Sequence, residues 1–404
     1  MSGRDNLRVF WPRQKIPAVL LVDDPVPCRN PAWYEFPYDG HEPVVPISFL
    51  EAFADLLDQY DVKGKFSLIP CPGATGRIDS CLPGIDRDEL ELFLTVVRER
   101  IARRCDISPE LLTHNYAMDI TAWQPLDERE DVWFDRQDLD TMVSYISTAL
   151  EILTSVGLSP NGVTSPWRLG AAVEDLYCEA IRTSLKAVTD TNHGWYFVHC
   201  DDTSEVVSPR LSMCGDGESL VSIVSGTCMD FAWHTQKGRD PDVDLWITED
   251  GLNGRLGFLL RHQSPLVMTT HWQSLFSNGS WKGLEGLREV IRRIDTVWRK
   301  DIIWMTPSQL ASYYVAMETA VYKQSTSLDG GITLSIEIAQ GIDCHDFTFQ
   351  LTPGFVPTKV FVDGVILERV QTCTLKSNTW YYDEAHNTCT ICCDISNKAE
   401  LSLQ

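Results

Sequence analysis

The stretch "AVLLVDDPVPCRNPAW", residues 18–33, holds an apolar run bounded by Pro17 and Pro25 that ends on two adjacent aspartates, Asp23 and Asp24. A short apolar run between prolines reads as a strand buried on both faces, the kind found in parallel sheets covered by helices. In α/β proteins, ligands bind where such strands end. Two neighbouring carboxylates at that place need a metal ion, a proton or a basic side chain as partner.

Outward from this strand the same order recurs. Further strands are predicted at 64–70 ("GKFSLIP"), 162–166, 186–191 ("KAVTDT"), 219–225, 265–271 and 301–307. Helices fall between them. One begins at Ser48 with Glu51 three residues on, a capping-box spacing, and another at Asp86 with Glu89; amphipathic patterns follow near 139–156, 172–184, 283–299 and 308–321. Repeated strand-then-helix order implies parallel strands with right-handed crossovers. The fold class expected is α/β: a distorted (β/α) barrel over residues 1–322, with its active face at the strand ends. From about Ser325 the helical period gives way to alternation with "DGG" and "DG" turns, so residues 323–404 read as a small antiparallel, sandwich-like β domain. The proline-rich loop from about Pro25 to Pro46 is expected to lie over the active face.

Composition narrows the class of function. With 34 basic and 57 acidic residues the chain carries a formal charge of −23, which opposes binding to nucleic acid or to an anionic membrane. The first residues lack the apolar core of a signal peptide, and no run approaches the roughly 20 apolar residues of a membrane span. A cytoplasmic enzyme acting on a small-molecule or carbohydrate substrate is expected; nothing in the sequence signals an oligomeric state. Thirteen scattered cysteines read as free thiols. In "CTICCDI", strand alternation sends Cys389 and Cys393 to one face and Cys392 to the other, which disfavours a metal site. The "CPGATGR" loop lacks the lysine of a phosphate loop and reads as a turn.

Four polar clusters fall at or near predicted strand ends: Asp23 with Asp24; "THNYAMD" with His114 and Asp119; "TSPWRLG" with Trp167 and Arg168; and "TTHWQSLFSNG" with His271, Trp272 and Gln273. Carboxylates and imidazoles in this arrangement suit a divalent cation, with a second carboxylate left to take a proton from water. The bland readings are turn or cap roles for the aspartates and backbone-satisfied histidines. His193, Trp195 and His199, and Asp230, Trp233, His234 and Gln236, are further candidates for the walls of a site.

The order of these motifs (a strand ending in Asp23-Asp24, then Lys65-Phe66-Ser67, a Thr113-His114 turn, Ser165-Pro166-Trp167, and a late strand ending in His271) resembles the polysaccharide-deacetylase superfamily, also called carbohydrate esterase family four or the NodB-homology fold, over roughly residues 16–310. The resemblance implies a divalent metal, zinc foremost, with Asp24 and His114 as ligands, Asp23 as catalytic base and His271 as the acid that protonates the leaving group. Where the family places a second histidine, four residues after His114, this chain has Met118, so Asp119 or His271 is the candidate for the third ligand. Trp167, Arg168, Trp272 and Gln273 are the expected substrate contacts. The family's arginine before the proline is replaced by Ser165. The activity implied is metal-dependent hydrolysis, with metal-activated water attacking an amide, ester or related carbonyl. The alternatives are a metal-dependent lyase, isomerase or C–C-bond-cleaving enzyme, and a catalytically inactive carbohydrate-binding protein.

Overall fold

The structure, a computed structural model, describes residues 7–28, 45–326 and 330–404. Most of the loop expected over the active face, residues 29–44, lies outside the described residues. The chain opens with β1 (Leu7–Phe10) and β2 (Ile16–Asp23), followed by α1 (Ile47–Tyr60), β3 (Gly64–Leu68), α2 (Arg87–Glu99) and β4 (Cys105–Pro109). A hairpin of β5 (Tyr116–Asp119) and β6 (Gln124–Arg129) leads to α3 (Glu130–Phe134) and α4 (Leu139–Ser155). Then come β7 (Gly162–Thr164), α5 (Glu174–Thr189), β8 (His193–Cys200), β9 (Arg210–Gly215) and β10 (Glu218–Ser225). Short α6 (Val243–Trp246) and α7 (Gly254–Arg261) precede β11 (Leu266–His271), α8 (Trp272–Phe276), α9 (Lys282–Trp298), β12 (Ile302–Trp304) and α10 (Pro307–Thr319).

Two parallel arrays carry the site. In one, β11, β2, β3 and β4 pair in that order, with β12 beside the start of β2; in the other, β7, β8 and β10 are parallel and β9 runs antiparallel at the edge. The arrays meet edge to edge. At one seam Glu110 bridges Thr164, and at the other the Gly226 N–H donates to the Val267 carbonyl at 2.7 Å. Among the described residues the ladders therefore do not close into the expected barrel. Bends where β4 and β10 end limit pairing across each seam to isolated bonds. Close approach shapes the first array: a Cβ on Gly64 would stand 1.7 Å from the Leu20 carbonyl oxygen, so only glycine admits β3 this near to β2.

Alternation sorts the side chains. Ala18, Leu20, Val22 and Phe66 face the helices and pack with Phe49, Phe53 and Trp272. Val19 and Leu21 face inward, where they join Trp195, Phe197, Val221, Ile223 and Val267 in a second cluster. Asp23 continues that inward face at the end of β2.

Two local expectations change. Residues 186–189 of "KAVTDT" prolong α5, which buries Ile181 and Leu185 and stops at Asp190 in a left-handed cap; the strand is β8, just beyond. Helix α1 starts at Ile47 behind Pro46 with no side-chain cap, so the Ser48–Glu51 box does not form, whereas the Asp86 side chain does cap α2 by accepting the Glu89 N–H.

The C-terminal strands are β13 (Val321–Thr326), β14 (Ile332–Glu337), β15 (Asp343–Leu351), β16 (Val360–Val362), β17 (Val365–Ile366), β18 (Glu368–Arg369), β19 (Thr379–Asp383), β20 (Thr388–Ser396) and β21 (Lys398–Leu403). With β1, which pairs antiparallel to β15, they form one ten-stranded network. Cys389 and Cys393 enter its core, while the Cys392 thiol faces Asp346, as alternation along β20 requires.

Candidate active site

Asp24 follows β2 with a left-handed backbone, φ +66°. That turn lets the Asp24 N–H donate to Glu110 Oε2 at 2.7 Å and sets the Asp24 carboxylate beside Gln273, whose Nε2 donates to Oδ2 at 2.6 Å. Glu110 stands directly after β4. His114 is four residues further on, also left-handed at φ +52°. Its loop is organised by buried Glu130, which accepts the N–H groups of Leu112, Thr113 and His114 at 2.8–3.0 Å and the Tyr145 hydroxyl at 2.9 Å. Trp167, a third left-handed residue at φ +50°, lays its ring against His114, centroids 4.7 Å apart, with the Arg129 guanidinium over it. Non-glycine residues seldom adopt this conformation, and here three of them converge on one cavity.

Asp24, Glu110 and His114 form a group whose ligand atoms lie within 4.8 Å of one another, all three residues buried. His114 Nε2 is 2.9 Å from Asp24 Oδ1 and 3.4 Å from Glu110 Oε1. Asp24 Oδ1 is buried, with the His114 ring nitrogen as its contact. One imidazole and two carboxylates gathered this closely fit a divalent cation such as zinc or manganese. Charge is strongly perturbed in the group. Burial, then the charges of Asp24 and Asp23, push Glu110 up to about 8. Burial alone would raise Asp24, but the His114 cation outweighs it and holds Asp24 well below the usual carboxylate range. Burial opposes the charge on His114, and Asp24 and Glu110 together overcome it and raise its pKa.

Asp23 is paired from below. The ammonium of fully buried Lys65 bonds to Asp23 Oδ1 and to Ser67, and it donates to Thr164 Oγ1 at 2.9 Å. Phe197 lies 4.7 Å from it in cation–π contact. Across the cavity His271 Nδ1 lies 3.0 Å from Asp230 Oδ2, which also accepts the His271 N–H at 2.9 Å. Burial would lower the His271 pKa; the Asp230 hydrogen bond and the charges of Asp24, Asp230 and Asp23 raise it to about 9. Trp233 meets the His271 ring edge-on. The cavity bounded by these groups measures about 230 Å³.

Six of the nine residues expected at a site share this cavity: Asp23, Asp24, His114, Trp167, His271 and Gln273. The other three lie elsewhere. Asp119, expected as a ligand, ends β5, and its carboxylate accepts the N–H groups of Thr121 and Ala122 at 2.9 Å. The turn consumes it, and Glu110 stands in the metal group instead. Trp272 is fully buried on the helix side, its indole N–H donating to the Val26 carbonyl and its ring packed on Phe49 and Phe66, so it is core rather than a substrate contact. Arg168 is exposed in an outer cleft with Asp131 and Asp135. Met118, at the position of the family's second histidine, is a core residue. Of the wall candidates, Trp233 lines the cavity and Asp230 braces it through His271, whereas His199 bonds Glu174 and Trp195 is interior. Glu110 and Lys65 are the groups whose roles the sequence reading missed. The spacing Glu110-x-x-x-His114 behind a strand was the available signal for the first.

No family model matches the chain, and no curated protein does. Among solved structures it is similar to one described as a polysaccharide deacetylase from Mycobacterium smegmatis (17% identity, TM-score 0.44, 76% of this chain and 93% of that one). A peptidoglycan N-acetylglucosamine deacetylase gives 14% identity and a TM-score of 0.34, with 74% and 89% covered. A 4-alpha-glucanotransferase from Thermococcus litoralis gives 14% and 0.41, with 74% and 40% covered. No helix among the described residues is long and apolar enough to cross a membrane.

Proposed function

We propose that the protein is a metal-dependent hydrolase with a polysaccharide-deacetylase-like site, cleaving an amide or ester of a small or medium substrate. The observation that carries this reading is the meeting, in one cavity, of the Asp24–Glu110–His114 group, a lysine-paired carboxylate at Asp23 and an aspartate-held imidazole at His271. When bound, a divalent cation supplies Lewis acidity that polarises a carbonyl and makes water nucleophilic near neutral pH. Asp24, Glu110 and His114 would hold it. Asp23 takes the proton of the attacking water, and Lys65 fixes the carboxylate in place. His271, kept protonated by Asp230, gives its proton to the departing group. The buried atoms Thr269 Oγ1 and Gln273 Oε1 have no hydrogen-bond partner and are available to substrate polar groups. At about 230 Å³ the cavity falls below the range of roughly 300–1,000 Å³ usual for drug-sized ligands, which favours a small acyl group or a single ring.

The test of the cation site is calorimetry after elemental analysis. Glu110, pushed up to about 8, and His114, raised above its ordinary value, both favour their protonated forms, so a cation competes with protons for the site. Affinity should rise with pH through neutral, with protons released on binding, read from two buffers of different ionisation enthalpy. Binding without proton release would place the ion elsewhere. Turnover of a panel of small acetyl amides and esters then tests hydrolysis. Solvent deuterium entering a substrate carbon without net addition of water would replace it with lyase or isomerase chemistry.

Asp230→Asn should remove the negative charge that helps to raise His271 and leave only a neutral amide oxygen as acceptor. In metal-free protein its titration, followed by ring NMR signals, should move from about 9 towards neutral, a drop of roughly 1–2 pH units. An unmoved midpoint would remove Asp230 from this role.

A further inference from the structure

The cavity wall carries a pair of cysteines that the hydrolytic reading does not use. Cys200 ends β8 and Cys228 follows β10, the strand paired with β8 in parallel, with Ser225 opposite Cys200. The Asp201 N–H donates to the Ser225 carbonyl at 2.8 Å, which ties the two strand ends together. Ser225 then bends the chain: its hydroxyl donates to the Thr227 carbonyl at 2.9 Å and accepts the Thr227 N–H at 3.2 Å, and Cys228 follows this bend. Both cysteines line the cavity and both are exposed. The two thiols are close enough to perturb each other's ionisation.

We propose that Cys200 and Cys228 form an oxidisable dithiol on the wall of the cavity, a modification site that closes to a disulfide when the protein meets a peroxide. The pair is asymmetric. The neighbouring Cys200 thiol lowers the Cys228 pKa against the opposing effects of burial and the charges of Asp202 and Asp201. The same contact, followed by burial and the Cys228 and Asp23 charges, raises Cys200. Cys228 is therefore the attacking thiolate and Cys200 the resolving thiol. The Cys228 thiolate attacks one peroxide oxygen, the O–O bond breaks, and with one proton the products are a sulfenic acid and water. The Cys200 thiol displaces water from that sulfenic acid, and the S–S bond forms. Two thiols are oxidised for each peroxide reduced. The closed bridge pins the end of β8 to the turn after β10, beside Asp23.

One equivalent of hydrogen peroxide added to the whole protein, followed by alkylation of the remaining thiols and peptide mass spectrometry, tests this without metal or substrate. The expected result is one intramolecular Cys200–Cys228 disulfide, reversed by dithiothreitol, with exposed Cys81, Cys214 and Cys373 still alkylated. Cys228 converted to sulfinic acid beside an unreacted Cys200, or oxidation spread evenly over the exposed thiols, would overturn the proposal. Cys200→Ala should slow Cys228 alkylation several-fold near neutral pH, and Cys200→Ser, which keeps a donor, should restore most of the rate. Equal rates in wild type and both variants would refute the asymmetry. Because no readout depends on hydrolysis, either proposal can fail alone.

Discussion

Lys65→Met is expected to destabilise the protein by about 3–5 kcal/mol, the usual effect of stripping one partner from a buried ion pair. Lys65 is fully buried, and the Asp23 side chain is 7% exposed. Methionine fills the space of the lysine stem but leaves Asp23, Ser67 and Thr164 without the ammonium they share. A melting temperature lower by roughly 4–6 °C should follow in this large chain. The double variant Lys65→Met with Asp23→Asn removes the orphaned charge and should recover most of the loss, a coupling that a double-mutant cycle measures. If the single variant melts with the wild type, the pair is not compensating Asp23. Substrate turnover should be lost in both variants, because Asp23 is either misplaced or replaced.

Glu110→Gln should separate stability from cation binding. The glutamine oxygen can still accept the Asp24 N–H that Glu110 holds at 2.7 Å, and the neutral amide ends the crowding of three carboxylates that, with burial, pushes Glu110 up to about 8. Stability is therefore expected to hold or rise. The amide nitrogen, however, offers no lone pair towards His114 and Asp24. Cation affinity should fall by more than the roughly 10–100-fold typical of an outer partner, with turnover falling alongside. Asp119→Asn serves as the control and should leave both unchanged, because its carboxylate serves only its own turn. An equal loss in the two variants would move the third ligand back to Asp119.

Apolar runs made much of the fold legible. β2, β10 and β11 lie within two residues of their expected limits because each is buried on both faces. "KAVTDT" misled because a short apolar run fits a buried helix end as well as a strand. β4 escaped notice for a different reason. Its Asp106 breaks the apolar pattern, and that carboxylate accepts the N–H of Ser308, 202 residues away, at the start of α10. With β4 hidden, Glu110 at its end was hidden too. Asp23, Asp24, His114 and His271 were legible as polar residues at or near strand ends. Trp272 and Arg168 were not, because the direction of a side chain one residue past a strand depends on the turn that follows. At His271 the chain enters α8 at once and swings Trp272 to the helix side. Lys65 shows the limit most clearly: a lysine inside a strand signals exposure until its buried counter-ion is known.

The inward cluster of Val19, Leu21, Trp195, Phe197 and Ile223 runs without a break through Leu310 and Tyr313 of α10 into Phe347, Phe349 and Ile391 of the C-terminal network, and β1 is itself a strand of that network. The residues before and after 322 thus share one apolar core. Trimming the chain there would bare an apolar floor beneath the parallel strands and strip β1 of its ladder, and heating the intact chain should melt it in a single cooperative transition.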